Sequence, residues 1–364
     1  LEPERVVFAH GRWFETDGAA RLRRALRWLL GVEAAGVLQD QVVVITGASS
    51  GIGRASAIAF AGGGAKVVLA ARRAEVLEEV ARACRAAGGE ALAVPTDVTE
   101  PEAVASLAQA AEQAFGRIDV WINNAGTGVF GPYQDGDIAL HRKTVEVNLM
   151  GTMHGAHAVL PIFLRQGRGV LINNISVGGW APTPFAAAYT ASKFGLRGFT
   201  ASLRQELAQH RDIHVCAVFP AMVDTPGFVH GANVSGRNLD PGPLLYRAED
   251  VAAAFVRLVE HPRDEVAVGW PARLGQAAYA TAPAITERSM GAMFRALLAR
   301  AKSAPTTQGA VLAPIPEGVE TSGGWLERKR LPPAPVISAG LGAVAAAGLT
   351  LIALSGARRR LGMR

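Results

Sequence analysis

Twelve residues constrain this chain more than any others: Val42 to Gly53, reading VVVITGASSGIG. Val42, Val43, Val44 and Ile45 are apolar and β-branched and make a buried strand. Thr46-Gly47-Ala48-Ser49-Ser50-Gly51-Ile52-Gly53 makes a tight glycine turn, and Arg54 to Phe60 continues as a helix. Such a unit is a phosphate cradle, because backbone N–H groups at a helix start lack intrahelical partners and carry partial positive charge. Glycine is needed where a side chain would block the phosphate or the helix–strand contact. The spacing is G-x-x-x-G-x-G rather than G-x-G-x-x-G, and it gains force only from the elements downstream of it.

Downstream, strands and helices alternate regularly. Residues 67–70, 91–94, 120–122, 169–172, 214–219 and 265–268 read as further strands, and 75–87 and 101–115 between them as helices. Strands separated by helix-length segments predict βαβ units, hence an α/β fold with a doubly wound parallel sheet of about seven strands and ligands at the strands' carboxyl ends. With 49% hydrophobic and 19% charged residues in 364, the chain folds around a substantial core. Its net charge of +6 gathers at the ends, in Arg21, Arg23, Arg24 and Arg27 and again in Arg328, Lys329, Arg330, Arg358, Arg359, Arg360 and Arg364. The middle has no basic stripe interleaved with aromatics, which argues against a nucleic-acid partner and toward a membrane surface. Cys84 and Cys216 sit far apart in apolar settings, so neither a disulfide nor a metal site is expected.

Two constellations carry chemistry. At the end of the second strand, where a fold binding NAD places an acid for the ribose 2′-hydroxyl, the chain has Ala70-Ala71-Arg72-Arg73. Two guanidinium groups without a carboxylate favour a 2′-phosphate, hence NADP(H) as cofactor; two solvated surface arginines are the alternative. Further on, Tyr189 and Lys193 stand four apart, so on a helix the phenol and the ammonium share a face. A neighbouring cation favours phenolate and suits the tyrosine to exchange a proton with an alcohol or a developing alkoxide. Taken alone, Tyr-x-x-x-Lys occurs often by chance.

In order along the chain these motifs, with several others, resemble the short-chain dehydrogenase/reductase family from about Leu38 to Val268. Thr46 to Gly53 is similar to the family's TGxxxGxG, Asp97-Val98 to its adenine-contacting aspartate, and Asn123-Asn124-Ala125-Gly126 to its NNAG. Asn148 is similar to its helix asparagine, Ser176 stands 13 residues before Tyr189, and Pro220-Ala221-Met222-Val223-Asp224-Thr225 resembles its P-G-x-V-x-T segment, with Ala221 in place of the usual glycine. The resemblance implies a Rossmann fold and an enzyme that moves a hydride between NADP(H) and a small carbonyl or alcohol substrate. It implies a catalytic set of Asn148, Ser176, Tyr189 and Lys193: Tyr189 as general acid/base, Lys193 lowering its pKa and binding the nicotinamide ribose, Ser176 polarising the substrate oxygen, and Asn148 holding a water for proton return. It implies cofactor contacts from Gly47, Ser49, Ser50, Gly51, Ile52, Gly53, Arg72, Arg73, Asp97, Val98, Asn124, Ala125, Gly126, Tyr189, Lys193, Pro220, Val223 and Thr225, and a homodimer or homotetramer as the default assembly. An NAD-linked alcohol dehydrogenase, or a module that senses NADP(H) without turnover, are the competing readings.

The remaining residues receive plainer assignments. His154 and His157 read as packing residues, since no third ligand stands at metal spacing. Trp180, Phe185, Phe228 and Tyr246 are candidates to line the substrate cleft, with ordinary hydrophobic contacts the equal alternative, and the glycine- and proline-bearing loop 226–246 suits a mobile lid. Four segments are expected. Residues 1–38 are an extension whose stretch 21–30 puts leucines and arginines on opposite helical faces, 39–272 a cofactor-binding catalytic domain, and 273–335 a helical extension with a Pro/Gly-rich arm. Residues 336–355 carry no charge and suit one membrane crossing, which would tether a cytoplasmic catalytic domain; a soluble cytoplasmic protein is the alternative.

Overall fold

The apolar run before the glycine turn forms β1 (Val42–Thr46), buried along its whole length because it lies at the centre of a sheet covered on both faces. The computed structural model describes residues 36 and 38–330. The amphipathic stretch 21–30 and the uncharged run 336–355 lie outside the described residues. Among the described residues, no helix is long and apolar enough to cross a membrane.

Six more strands join β1: β2 (Lys66–Ala71), β3 (Glu90–Pro95), β4 (Val120–Asn123), β5 (Gly169–Asn174), β6 (Ile213–Pro220) and β7 (Glu265–Val268). Their order is β7-β6-β5-β4-β1-β2-β3, and each neighbouring pair is parallel. Connections run outward from β1 on one side and from β4 on the other, so the order reverses between these two strands. The crevice beyond their carboxyl ends is where such a sheet binds ligands. Six of the strands expected from sequence reappear within a residue or two of their limits, and β7 coincides with 265–268.

Side-chain alternation divides the core. Val43 and Ile45 face one layer, packed with Phe60, Leu77, Val80, Val251 and Phe255. Val42 and Val44 face the other, with Leu107, Trp121, Phe163 and Leu171. The first layer is built by α1 (Gly51–Gly62), α2 (Ala74–Ala86) and, beyond β6, α7 (Ala248–Glu260). The second uses α3 (Pro101–Phe115), with Pro101 in its first turn, and the long helix of α4 (Ile138–Val145) and α5 (Gly151–Gln166), then α6 (Ala187–Glu206). Between α4 and α5 the chain makes a π-helical turn, Glu146–Met150, which the sequence reading does not foresee. Cys84 and Cys216 are buried free thiols, and burial pushes each up to about 11.

After β7 the chain makes α8 (Trp270–Thr281) and α9 (Pro283–Arg300), Pro283 opening the second helix instead of interrupting one long one. The arm beyond α9 does not lead away. Residues 303–330 fold back across the carboxyl end of the sheet and close with a short helix, α10 (Trp325–Lys329). Loop 226–246 differs from an open lid for the same reason. It turns through a helical Gly227–His230, pairs Ala232–Asn233 with Val129–Phe130, and bridges to the arm through Asn233–Thr307 and Arg237–Ser303.

Candidate active site

The switch point brings together the loop after β1 and the loop after β4. Gly47 and Gly51 hold φ of +67° and +52°, where a side chain would be strained. A Cβ on Gly47 would come 2.8 Å from Ala125 Cα, and one on Gly53 would come 2.1 Å from the Gly47 carbonyl oxygen. The turn therefore closes only as glycine, and its closure sets the start of α1 against the end of β4. Thr46 ties the two loops, its Oγ1 accepting from the backbone N–H groups of Asn124 (3.0 Å) and Ala125 (3.1 Å). Asn124 returns Nδ2 to the carbonyls of Thr46 and Gly47.

A file of buried amides fixes the next strand ends. Trp121 Nε1 donates to Asn123, Asn123 to Asn173, and Asn173 to Thr200, at 2.8, 3.0 and 2.9 Å. One step outward, Asn174 donates to Asn124 at 2.9 Å, while its backbone oxygen accepts from Lys193 Nζ at 3.2 Å. Asn174 Oδ1 and the nearby Thr127 Oγ1 are buried with no hydrogen-bond partner among the described residues. Two buried polar atoms without partners beside the crevice suit a mouth that receives a polar ligand.

Asn148 lies in the π-helical turn, fully buried. Its side chain bonds Thr127 through both backbone groups (2.8 and 2.9 Å) and donates to Ser192 Oγ at 2.9 Å. It thereby fastens the loop after β4 to the first turns of α6, where Tyr189 and Lys193 stand four apart. Lys193 Nζ lies 5.6 Å from the centre of the Tyr189 ring, and a Cβ on Gly126 would be 3.9 Å from that nitrogen. Ser176 comes just after β5 with φ +141° and ψ 159°, a sparsely populated conformation for a non-glycine residue. Its Oγ accepts from Gly178 N at 3.1 Å, and a Cβ on Gly178 would stand 3.6 Å from that oxygen and 3.1 Å from Tyr189 Cε1, so the hydroxyl and the phenol ring share one corner of the site.

Burial is unfavourable for either charge here. It raises the Tyr189 pKa above the ordinary phenol range, opposed by the Ser176 hydroxyl, and it draws Lys193 down to about 7. A lysine four residues along does not by itself make this phenol acidic. The arrangement instead keeps Tyr189 a neutral phenol with its proton available for donation, beside a Lys193 that still carries its charge in part of the population near neutral pH.

The other expected residues fall around this centre. Asp97 comes just after β3, with Oδ1 accepting from the N–H and hydroxyl of Thr99 at 2.9 and 2.8 Å. Burial raises its pKa, but these bonds and the charges of Lys143 and Arg72 bring it below the usual carboxylate value. Val98 packs beneath α5, its carbonyl bonded to His154 Nδ1 at 3.0 Å, which accounts for that histidine. Among the described residues no cluster of His, Cys, Asp or Glu could hold a metal. Val223 pairs with Tyr246 beyond Pro220, the last residue of β6, and Thr225 packs within 3.3 Å of where a Cβ on Gly51 would stand.

Of the aromatic candidates, Phe228 belongs to a row that reaches the site. Tyr189, Phe130, Phe228 and Trp325 stand one after another with ring centres 6.3, 6.3 and 5.9 Å apart. Trp180 does not line the cleft; it is buried and stacked on Phe219 at 3.8 Å, with Arg273 over its other face. Tyr246 is also core, its ring against Gly269, and Phe185 lends its carbonyl to Gly131. The sequence reading missed Phe130, Asp224 and the docking of the arm at the site. Phe130 had a local signal, a lone aromatic after the NNAG segment; the arm contributes backbone carbonyls, which no residue pattern encodes.

The arrangement suits a dinucleotide. A helix N-terminus and Ser49 stand at the glycine turn, two arginines stand at the end of β2, and a Tyr–Lys–Ser group stands across the mouth. Comparison with known proteins agrees. A family model described as short chain dehydrogenase matches residues 41–231. The uncharacterized oxidoreductase YxnA of Bacillus subtilis is 36% identical over 70% of this chain and 72% of its own. A short-chain dehydrogenase/reductase from Burkholderia phymatum, solved in complex with NAD, superposes with a TM-score of 0.59 at 29% identity, over 67% of this chain and 95% of its own. A metagenomic short-chain oxidoreductase in complex with NADP gives 0.55 at 36% identity, over 64% and 98%. With more than half its length inside the family model, and its fold and strand-end residues in accord, this chain belongs to the short-chain dehydrogenase family of oxidoreductases.

Proposed function

We propose that the protein is an NADP(H)-dependent oxidoreductase that interconverts a small carbonyl compound and its alcohol. The observation carrying this reading is the convergence of Tyr189, Ser176 and Lys193 on the crevice that the glycine turn opens. When bound, the reduced cofactor supplies the hydride that reaches the carbonyl carbon. Tyr189 gives its phenolic proton to the carbonyl oxygen as that oxygen gains charge, and takes it back in the reverse direction. Ser176 hydrogen-bonds the same oxygen, its strained backbone aiming the hydroxyl at Tyr189. Lys193, anchored on the Asn174 carbonyl, supplies positive charge below the tyrosine and binds a ribose hydroxyl. Asn148 acts through position: its side chain is committed to Thr127 and Ser192, so its part is to hold the two loops in register.

The cofactor would be held by the backbone of Gly47 to Gly53 with Ser49 and Ser50, by Asp97 and Val98, by Asn124 to Gly126, and by Pro220, Val223 and Thr225. Arg72 and Arg73 favour a 2′-phosphate over a bare ribose. Solved relatives hold NAD in one case and NADP in another, which supports the nicotinamide class and leaves the choice to this pair. The aromatic row from Tyr189 to Trp325 supports an apolar or aromatic substrate.

The test is a panel of ketones and aldehydes with purified full-length protein, monitored by loss of NADPH absorbance. Turnover of at least one apolar carbonyl compound, faster with NADPH than NADH, is expected. Tight NADPH binding with no turnover across the panel would instead indicate a sensor, and no binding of either dinucleotide would remove the reading.

A further inference from the structure

The arm between α9 and α10 lies on the groups assigned above to the phosphates. The Gly51 N–H, at the start of α1, donates to the Glu320 carbonyl at 2.9 Å, and Arg54 donates to the Val319 carbonyl at 2.8 Å. Arg72 donates to the Ala310 carbonyl at 2.6 Å. Arg73 donates to the carbonyls of Ile315 and Glu317 at 3.0 and 3.2 Å, and to Ser49 Oγ at 3.1 Å. These donors come from the glycine turn, the first turn of its helix and the end of β2, and each has an oxygen of the arm as a partner.

The arm is also fastened on either side. Asp224, buried beside Thr225, accepts from Ser322 Oγ and from the N–H groups of Trp325 and Leu326, each at 3.1 Å. Thr307 and Asn233 exchange backbone hydrogen bonds at 2.9 Å, and Ala310 N donates to the His230 carbonyl at 2.8 Å. Gly318 (φ +71°) and Gly323 sit where nothing larger fits. A Cβ on Gly318 would come 2.6 Å from His230 Nε2 and 2.9 Å from Pro226 Cβ, and one on Gly323 would come 2.5 Å from the Thr225 carbonyl.

We propose that residues 304–326 are an intramolecular strap that competes with the dinucleotide, so that docking of the strap and binding of the cofactor's phosphates exclude one another at Gly51, Arg72 and Arg73. The inference rests on the cradle reading above. One N–H carries one proton, and the Gly51 N–H cannot serve Glu320 and a phosphate oxygen at full strength together. The strap offers neutral carbonyls, weaker acceptors than phosphate for arginine. Tethering gives it a high local concentration in compensation. A cradle closed this way binds cofactor with an apparent affinity reduced by the fraction of molecules in which the strap is off.

The experiment compares NADPH binding by calorimetry in the full-length wild type and in Gly318→Ala, with Ser322→Ala as a milder variant that removes one bond to Asp224. Neither residue belongs to the catalytic or cofactor-binding set. Competition predicts an apparent Kd about tenfold lower for Gly318→Ala, as the open fraction rises from roughly a tenth to nearly all, and a smaller shift of the same sign for Ser322→Ala. Hydrogen exchange of the wild type supplies a readout independent of turnover: saturating NADPH should deprotect peptides within 304–326. Weaker binding in the variants, with added protection of the strap by NADPH, would make it a cover that closes over the cofactor and would overturn the proposal, as would no change in either measurement. Absence of NADPH and NADH binding in every form would show that the cradle reading itself had failed.

Discussion

Lys193 is the residue at which burial and chemistry meet most directly. An unfolded lysine stays protonated up to about 10.4, whereas burial brings Lys193 to about 7 in the fold. Between these values the unfolded chain binds more protons than the native one, so this residue makes stability rise with pH across that window. Lys193→Met removes the effect. Its stability relative to wild type should be greatest near pH 6 and fall steadily toward pH 9 in urea titrations; a difference independent of pH would contradict the assigned burial. At the end of β2, Arg72→Asp should lower the preference for NADPH over NADH by roughly 10- to 100-fold, the loss expected for a charge-assisted bond turned into repulsion. An unchanged ratio of the two dissociation constants would return Arg72 to the surface. Both residues were legible in the sequence as types at positions. What spacing could not show is that burial outweighs any acidifying effect of Lys193 on Tyr189, because desolvation depends on everything packed around the pair.

At the scale of elements, the strand–glycine-turn–helix unit could be read almost completely in advance, because its backbone conformation has few sequence solutions. Gly53→Ala tests that closure. With the new Cβ 2.1 Å from the Gly47 carbonyl, the turn must open, and a loss of about 1–3 kcal/mol in chemical denaturation is expected, together with weaker dinucleotide binding. Wild-type stability and binding would mean that the turn relaxes freely. The π-helical turn at Asn148 was not legible, since an extra residue in a helix leaves no periodic mark, yet it carries the side chain that bridges Thr127 and Ser192. Trp180 takes the hydrophobic-contact alternative for a related reason. Its place after β5 suggests the cleft, but the ring rotates under the loop to stack on Phe219, and only the packing of β6 and α8 against it decides that.

Over the whole molecule, the alternation of apolar strands and amphipathic helices was enough to specify the sheet, and the sheet order locates the site. Phe255, fully buried between α7 and the sheet, measures how far that body acts as a unit. Phe255→Ala should cost about 3–5 kcal/mol in denaturation while the folded fraction keeps its dinucleotide affinity; a neutral substitution would contradict the packing. The return of the arm across the cradle was invisible at this scale too, because a Pro- and Gly-rich stretch reads as a linker and its docking uses main-chain carbonyls. The central claim is that Tyr189 moves the proton that accompanies hydride transfer. Its most direct test is single-turnover oxidation of NADPH by Tyr189→Phe with a carbonyl compound that the wild type reduces. The account predicts a rate at least about a hundredfold lower, the usual contribution of a positioned acid, with NADPH affinity retained, and an unchanged rate would contradict it.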